Sequence, residues 1–169
     1  TIWLQNGSTN NTIQNLTLKN ATVGLLIDGN NGTTVSLKNT QIYNCTHYGI
    51  QGKNAIIEGE NIVINYTGQA SLACTYGGNY KFTHSTFNNN WSSPEQSAVY
   101  ISNYSAGTTP ETKNLTEATF NNCIIYGSYS NEMILDKKSE ALFNYQFNNC
   151  LLKFNNTSNK YTTDPLYQF

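Results

Sequence analysis

Glu58 and Glu60 are the closest approach to a catalytic motif in this chain of 169 residues. Two carboxyl groups flanking a glycosidic bond can hydrolyse it. A polysaccharide lyase instead needs several carboxylates for calcium and a basic residue that takes the proton next to a uronate. Arginine is absent from the sequence, and aspartate occurs only at positions 28, 136 and 164. We therefore expect a solvated charge pair, and keep Glu58 and Glu60 as weak catalytic candidates.

Aromatic side chains are the second group with a chemical use, because they stack on sugar rings and dominate protein contact surfaces. The candidates for such a surface are Trp3, Tyr76, Trp91, Tyr100 and Tyr104. Packing inside the core is the competing role of each. Clustering of their side chains on one face would favour recognition of a carbohydrate or a partner protein.

A repeat must position these side chains. Similar segments begin at positions 15, 39, 61, 84, 122 and 149, in steps of 24, 22, 23, 38 and 27 residues. In each segment the first and third residues after the lead position are mostly apolar, as in Ile62 and Ile64, and this alternation predicts a short strand with one buried face. The fixed leucine frame of a leucine-rich repeat is missing. With one strand before each lead position and another after the repeated one, the pattern predicts an all-β parallel β-helix of about six to seven coils, with three short strands per coil.

The lead residue is Asn in every segment except one, where it is His84. Asn tolerates unusual backbone angles at a tight bend. Amides on successive coils, about 4.8 Å apart, can hydrogen-bond along the stack. We expect this column, His84 included, to serve the fold.

The length suits one domain over residues 1–169. The step of 38 after His84 exceeds the others by about 15 residues, and residues 103–117 are predicted to form an inserted surface loop. Such insertions tend to map to a binding face, although a loop with no role is the alternative. The chain starts and stops in mid-pattern without a capping helix, so we expect a fragment of a longer protein whose export signal or anchor lies elsewhere.

Charge is sparse, at 11% charged residues, a net charge of −1 and a pI near 6.0, which argues against nucleic-acid binding. No apolar run approaches the roughly 20 residues needed to span a bilayer. Neither a metal-ligand spacing nor a cofactor motif is present, so no metal or cofactor is predicted.

The expected state of Cys45, Cys74, Cys123 and Cys150 is a buried free thiol, with a Cys123–Cys150 disulfide as the alternative.

The last coils carry a resemblance. The segments 120–128, 131–136 and 143–153, closing on Asp164-Pro165-Leu166, resemble the parallel β-helix repeat proteins of Bacteroidetes-type bacteria, which are distantly similar in fold to pectate lyases. The resemblance implies a right-handed helix and an exported lipoprotein or surface protein, associated with the outer membrane. It brings no catalytic residues. It also favours reading the 12 Asn-x-Ser/Thr sequons as by-products of the 27 Asn and 21 Thr, although in a eukaryotic secreted protein they would mean glycans.

Together these patterns predict a non-catalytic scaffold or recognition module of the cell surface. Its expected partners are a polysaccharide or other surface proteins, including those of an outer-membrane assembly. The alternative is a polysaccharide lyase or glycoside hydrolase of the pectate-lyase-like class.

Overall fold

The computed structural model describes residues 1–30, 32–92, 96–156, 159 and 161–167. The strands are β1 (Ile2–Leu4), β2 (Thr12–Gln14), β3 (Thr17–Asp28), β4 (Val35–Thr67), β5 (Ala70–Thr83), β6 (Thr86–Asn89), β7 (Ser97–Ser102), β8 (Leu115–Asn121), β9 (Ile124–Gly127), β10 (Met133–Asp136), β11 (Gln146–Asn148) and β12 (Leu151–Leu152). They pair in parallel in one sheet that winds into a β-helix of about six turns. The described residues hold one 3-10 turn, Pro165–Tyr167, and no α-helix. The predicted all-β parallel β-helix is confirmed.

The strands stack into three faces. Face 1 consists of β1, residues 25–28, 50–53 and 72–75, β7 and β10. Face 2 consists of β2, residues 36–38, 58–60, 81–83 and 119–121, and β11. Face 3 consists of residues 17–19, 41–43 and 63–64, then β6, β9 and β12. In the early turns the pairing runs through the corners, which is why β4 is 33 residues long and covers more than one turn.

Residues in the left-handed backbone conformation make the corners. Between faces 2 and 3 they are the predicted lead residues, with φ between 50° and 55° at Asn15, Asn39, Asn61, His84, Asn122 and Asn149. Their amides hydrogen-bond along the stack, with Asn39 Nδ2 3.1 Å from Asn15 Oδ1 and Asn61 Nδ2 2.9 Å from Asn39 Oδ1. The ring of His84 lies 3.3 Å from Asn122 Nδ2. The column therefore serves the fold, as its composition predicted.

Inward side chains of the three faces fill the core. Ile27, Ile42 and Ile57 are examples of buried aliphatic residues on successive segments. Aromatic rings continue the core toward the C-terminal turns, where Phe120 stacks on Phe147 at 5.0 Å between ring centroids. This burial is the main favourable term in the fold.

The extra residues of the long step fall in two places. One segment, residues 90–96, joins β6 to β7, and the other, residues 103–114, joins β7 to β8. The sequence pattern assigned all of the excess to a loop over residues 103–117, whereas the structure places residues 115–117 in β8. The buried Asn103 anchors the second segment, because its Nδ2 donates to the carbonyl oxygens of Lys138 and Ala141.

All four cysteines are free thiols. Cys45, Cys74 and Cys123 are buried, as expected, and Cys150 is half-buried beside Cys123 on the next turn. Burial raises the pKa of the Cys123 thiol to about 11. Burial also raises the pKa of Cys45 and Cys74, so these three thiols stay protonated and act as small apolar side chains.

Candidate functional site

Face 1 presents a row of outward side chains that centres on β7. Period-two alternation points Val99 and Ile101 inward, where both are buried, and leaves Tyr100 half-exposed between them. Along the stack, Tyr100 follows Gln51 and Ala73 in one outward column. Of the two inserted segments, Trp91 and Gln96 lie on the side where β7 begins and residues 103–114 on the side where it ends.

A depression of about 540 Å³ lies at the start of β7. It is lined by Thr46, His47, Tyr48, Gly68, Gln69, Ala70, Trp91, Ser97, Tyr100 and Ile134. Trp91 packs on Tyr66, with 4.6 Å between ring centroids, and its backbone N–H donates to Asn89 Oδ1 at 3.3 Å. These contacts hold the indole at the wall of the depression.

A second depression, of about 390 Å³, lies at the other end of β7. It is lined by Tyr48, Gln51, Lys53, Thr75, Tyr76, Tyr100, Ser102, Tyr104, Ser105 and Ala106. Tyr48 and Tyr100 line both depressions, which therefore adjoin. We name the two together the tyrosine trough.

Two carboxylates accept the hydroxyl protons of three of the four tyrosines that line the trough. Tyr100 and Tyr104 both donate to Asp136 Oδ2, at 2.9 Å and 2.5 Å. Tyr76 donates to Glu111 Oε2 at 2.5 Å, which ties segment 103–114 to the face. Each hydroxyl has thus committed its only proton.

These environments raise the pKa of the three phenols. Burial is the main cause at Tyr100, followed by the bond to Asp136. The bond to Asp136 is the main cause at Tyr104, and the bond to Glu111 at Tyr76. A tyrosine that acts as a base needs a lowered pKa, so this arrangement suits binding rather than proton abstraction.

Lysines pack on the outer rings. Lys113 Nζ lies 5.0 Å from the centroid of the Tyr76 ring, and Lys138 Nζ lies 5.2 Å from that of Tyr104. Both distances suit cation–π contacts. Lys53 lines the trough directly.

Four of the five aromatic candidates therefore meet in one place, namely Tyr76, Trp91, Tyr100 and Tyr104. Trp3 does not. It stands in the same outward column as Tyr100, four turns away, and is 54% exposed.

Glu58 and Glu60 lie on face 2, outside the trough. Glu60 Oε2 is 2.9 Å from Lys38 Nζ, and the two side chains are 54% and 46% exposed. Glu58 is the strand partner of Lys81. With His84, these residues line a depression of about 290 Å³. The pairing is that of a solvated charge network, which is worth little energetically.

Sequence reasoning missed Tyr48, His47, Gln51 and Lys53. A signal for two of them exists, since the face 1 register aligns Gln51 with Tyr100 and Lys53 with Thr75. The spacing of the repeated Asn corner does not show these columns, because register shifts separate the corner from face 1.

The part of the chain that the structure describes contains neither a metal-binding cluster nor a membrane-spanning helix. No group of three or more His, Cys, Asp and Glu side chains is arranged to hold a metal ion there. Within the same residues, no helix is long and apolar enough to cross a membrane.

Comparison with protein-family models, with curated proteins and with solved structures gave no match. The β-helix architecture therefore rests on the sequence pattern and the structure, without support from a relative, and the resemblance to Bacteroidetes-type surface proteins stays a prediction.

Proposed function

We propose that this chain is a non-catalytic carbohydrate-recognition module of a cell-surface protein and that the tyrosine trough is its binding site. The observation that supports it best is the convergence of four candidate aromatic residues around one strand, beside both inserted segments. Aromatic rings in a concave surface, with a few polar groups between them, are typical of ligand sites.

The surroundings of the rings agree with this proposal. Gln51, Thr75 and Ser102 place amide and hydroxyl groups between the aromatic side chains, and such groups can hydrogen-bond sugar hydroxyls. The polar, sparsely charged surface and the predicted resemblance favour an exported protein. Other surface proteins are the alternative class of partner for the same trough.

Catalysis by a lyase or hydrolase mechanism has less support. Glu58 and Glu60 lie on face 2 with Lys38 and Lys81 as neighbours, away from the aromatic residues. The tyrosines of the trough have raised pKa values.

The test is binding and turnover measured together on a panel of neutral and acidic polysaccharides, with and without calcium. We expect gel retardation without unsaturated products. Tyr100→Ala or Tyr104→Ala should weaken binding by about 1 kcal/mol, roughly fivefold, because each loses a stacking ring. Tyr126→Ala is the matched control, since this 46% exposed ring lies on face 3.

Three results would contradict the proposal. Equal losses for Tyr126→Ala and Tyr100→Ala would show that the trough is not the site. Product release that disappears in the double variant Glu58→Gln/Glu60→Gln would identify an enzyme. Absence of binding to every polymer would point to a protein partner.

A further inference from the structure

Three of the four tyrosine hydroxyls of the trough can act only as hydrogen-bond acceptors toward a ligand. Tyr76, Tyr100 and Tyr104 direct their hydroxyl protons to carboxylates of the protein. A phenol has one donor and two acceptor positions, so what these hydroxyls can still offer a ligand is lone pairs. A ligand that brings donors is matched by these three hydroxyls, whereas donors to a ligand come from other lining groups such as Tyr48, Gln51 and Lys53.

The carboxylates add to this bias. The carboxylates of Asp136 and Glu111 are acceptors only. They lie at hydrogen-bond distance from the hydroxyls of Tyr100 and Tyr76, whose rings a ligand would contact. A uronate or sulfate group stacked on those rings would bring a second negative charge close to them. Repulsion between like charges at such a distance costs affinity.

The lysines do not create a basic site. Lys113 and Lys138 face the rings of Tyr76 and Tyr104. The hydroxyls of these two rings donate to Glu111 and Asp136. Lys53, which lines the trough, is the strand partner of Asp28. These three cations are thus matched in number by Asp28, Glu111 and Asp136, and the local charge is balanced.

We infer that the trough selects an uncharged, hydroxyl-rich polysaccharide over an acidic one, and that Asp136 is the residue that enforces this choice. The inference rests on the proposed function and narrows its ligand class. Sugar hydroxyls supply the donors that the tyrosine and carboxylate oxygens lack, while the rings stack on the sugar faces.

The experiment uses polymers that share a backbone and differ in charge. One pair is methyl-esterified and de-esterified homogalacturonan, and the other is hydroxyethyl cellulose and carboxymethyl cellulose. We expect the full chain to bind the neutral member of at least one pair about tenfold more tightly at low salt, and the ratio to shrink as salt screens the charges. Tighter binding of the acidic member in every pair that binds would overturn the inference and leave the proposed function standing. Binding to neither member of any pair would overturn both.

Asp136→Asn tests the assigned residue. Removing the charge should reduce the neutral-to-acidic ratio by about threefold to tenfold. Glu60→Gln is the matched control, because it removes the same charge from face 2, where the ratio should stay unchanged. A ratio that is unaltered in Asp136→Asn, or altered equally in Glu60→Gln, would show that Asp136 does not set the selectivity. If Asp136→Asn does not fold, the comparison of paired polymers with the unmodified chain still decides the preference for a neutral polymer, and a ratio that does not shrink with salt would contradict a role for the Asp136 charge.

Discussion

Glu132 is the most unusual single residue of the chain. Its side chain is fully buried at the corner that precedes β10, and Oε1 accepts the backbone N–H of Tyr129 at 2.7 Å. Its Oε2 has no hydrogen-bond partner among the described residues, and neither does the side-chain oxygen of Gln96. Gln96 is tied to the same turn, because its Nε2 donates to Ser128 Oγ at 2.6 Å. Protonation of Glu132 would turn its unpartnered Oε2 into a hydroxyl, so that no charged oxygen is left buried without a donor.

Burial raises the pKa of Glu132, and the backbone N–H groups of Tyr129 and Ala98, followed by the charge of Lys153, oppose this in part. A carboxyl group with a higher pKa in the folded than in the unfolded state binds more protons when folded. Its contribution to stability is therefore complete below the unfolded pKa of about 4.3 and is lost as the pH rises through the folded pKa.

We predict that the free energy of unfolding of Glu132→Gln changes less with pH than that of the unmodified chain. The amide stays neutral and its oxygen can accept from Tyr129, so the variant should be at least as stable as the unmodified chain at pH 8. Glu132→Ala should lose about 1–3 kcal/mol, because it leaves a buried N–H without an acceptor. Urea unfolding at pH 4 to 8 measures both effects. A Glu132→Gln variant less stable at pH 8 would show that the ionised carboxylate is needed, for example by Lys153.

At the scale of the element, the corner between faces 2 and 3 needs a residue with positive φ, and the Asn side chains at this corner hydrogen-bond from one turn to the next. Asn61 has φ at 55°, and its Nδ2 reaches Asn39 Oδ1 at 2.9 Å. This left-handed conformation costs a residue with a Cβ about 1–2 kcal/mol, and Asn lowers that cost because its side chain can hydrogen-bond to nearby backbone. The hydrogen bond between the two amides stabilises the fold further, by about 0.5–1.5 kcal/mol.

Substitution of Asn61 should separate these two terms. Asn61→Gly keeps access to positive φ and loses the amide link, so we expect a loss of about 1 kcal/mol in the free energy of unfolding. Asn61→Ala loses both and should cost about 2 kcal/mol. Denaturant unfolding at fixed pH measures the difference. Equal losses for the two variants would mean that backbone strain is unimportant at this corner.

At the scale of the whole molecule, the C-terminal segment covers the last turn. Tyr167 packs on Phe154 with 5.1 Å between ring centroids, and its hydroxyl oxygen accepts the N–H of Leu135 at 2.9 Å. The Tyr145 hydroxyl donates to the carbonyl oxygen of Leu166 at 2.6 Å. Aromatic rings thus cover the end of the stack and occupy a backbone donor of β10, so this strand edge is blunted.

Removing the chain from Tyr161 onward should therefore expose a strand edge and promote self-association. We expect a lower Tm and concentration-dependent oligomers in size-exclusion chromatography. Tyr167→Phe is the control, because it keeps the ring and loses only the acceptor for Leu135. It should cost about 1 kcal/mol and remain monomeric. A truncated chain that stays monomeric at the same stability would show that the segment is not a cap.

The sequence alone determined the architecture because the relevant signals are local. Alternation of inward residues such as Ile62 and Ile64 needs only neighbouring positions, and an Asn at each corner answers a backbone need of its own residue. Repetition of both then implies stacking. The burial of Cys123 and the structural role of His84 followed from the same columns.

The tertiary structure decided what no local signal encodes. Tyr48 and Tyr100 share the trough although 52 positions separate them in the chain, and Glu111 reaches Tyr76 from an inserted segment. Register shifts at Lys53/Ala55 and Gly78/Asn79 set how the columns of one face align with the next. A site that is assembled across turns depends on these offsets and on where insertions leave the stack, and the spacing of one repeated corner does not contain either.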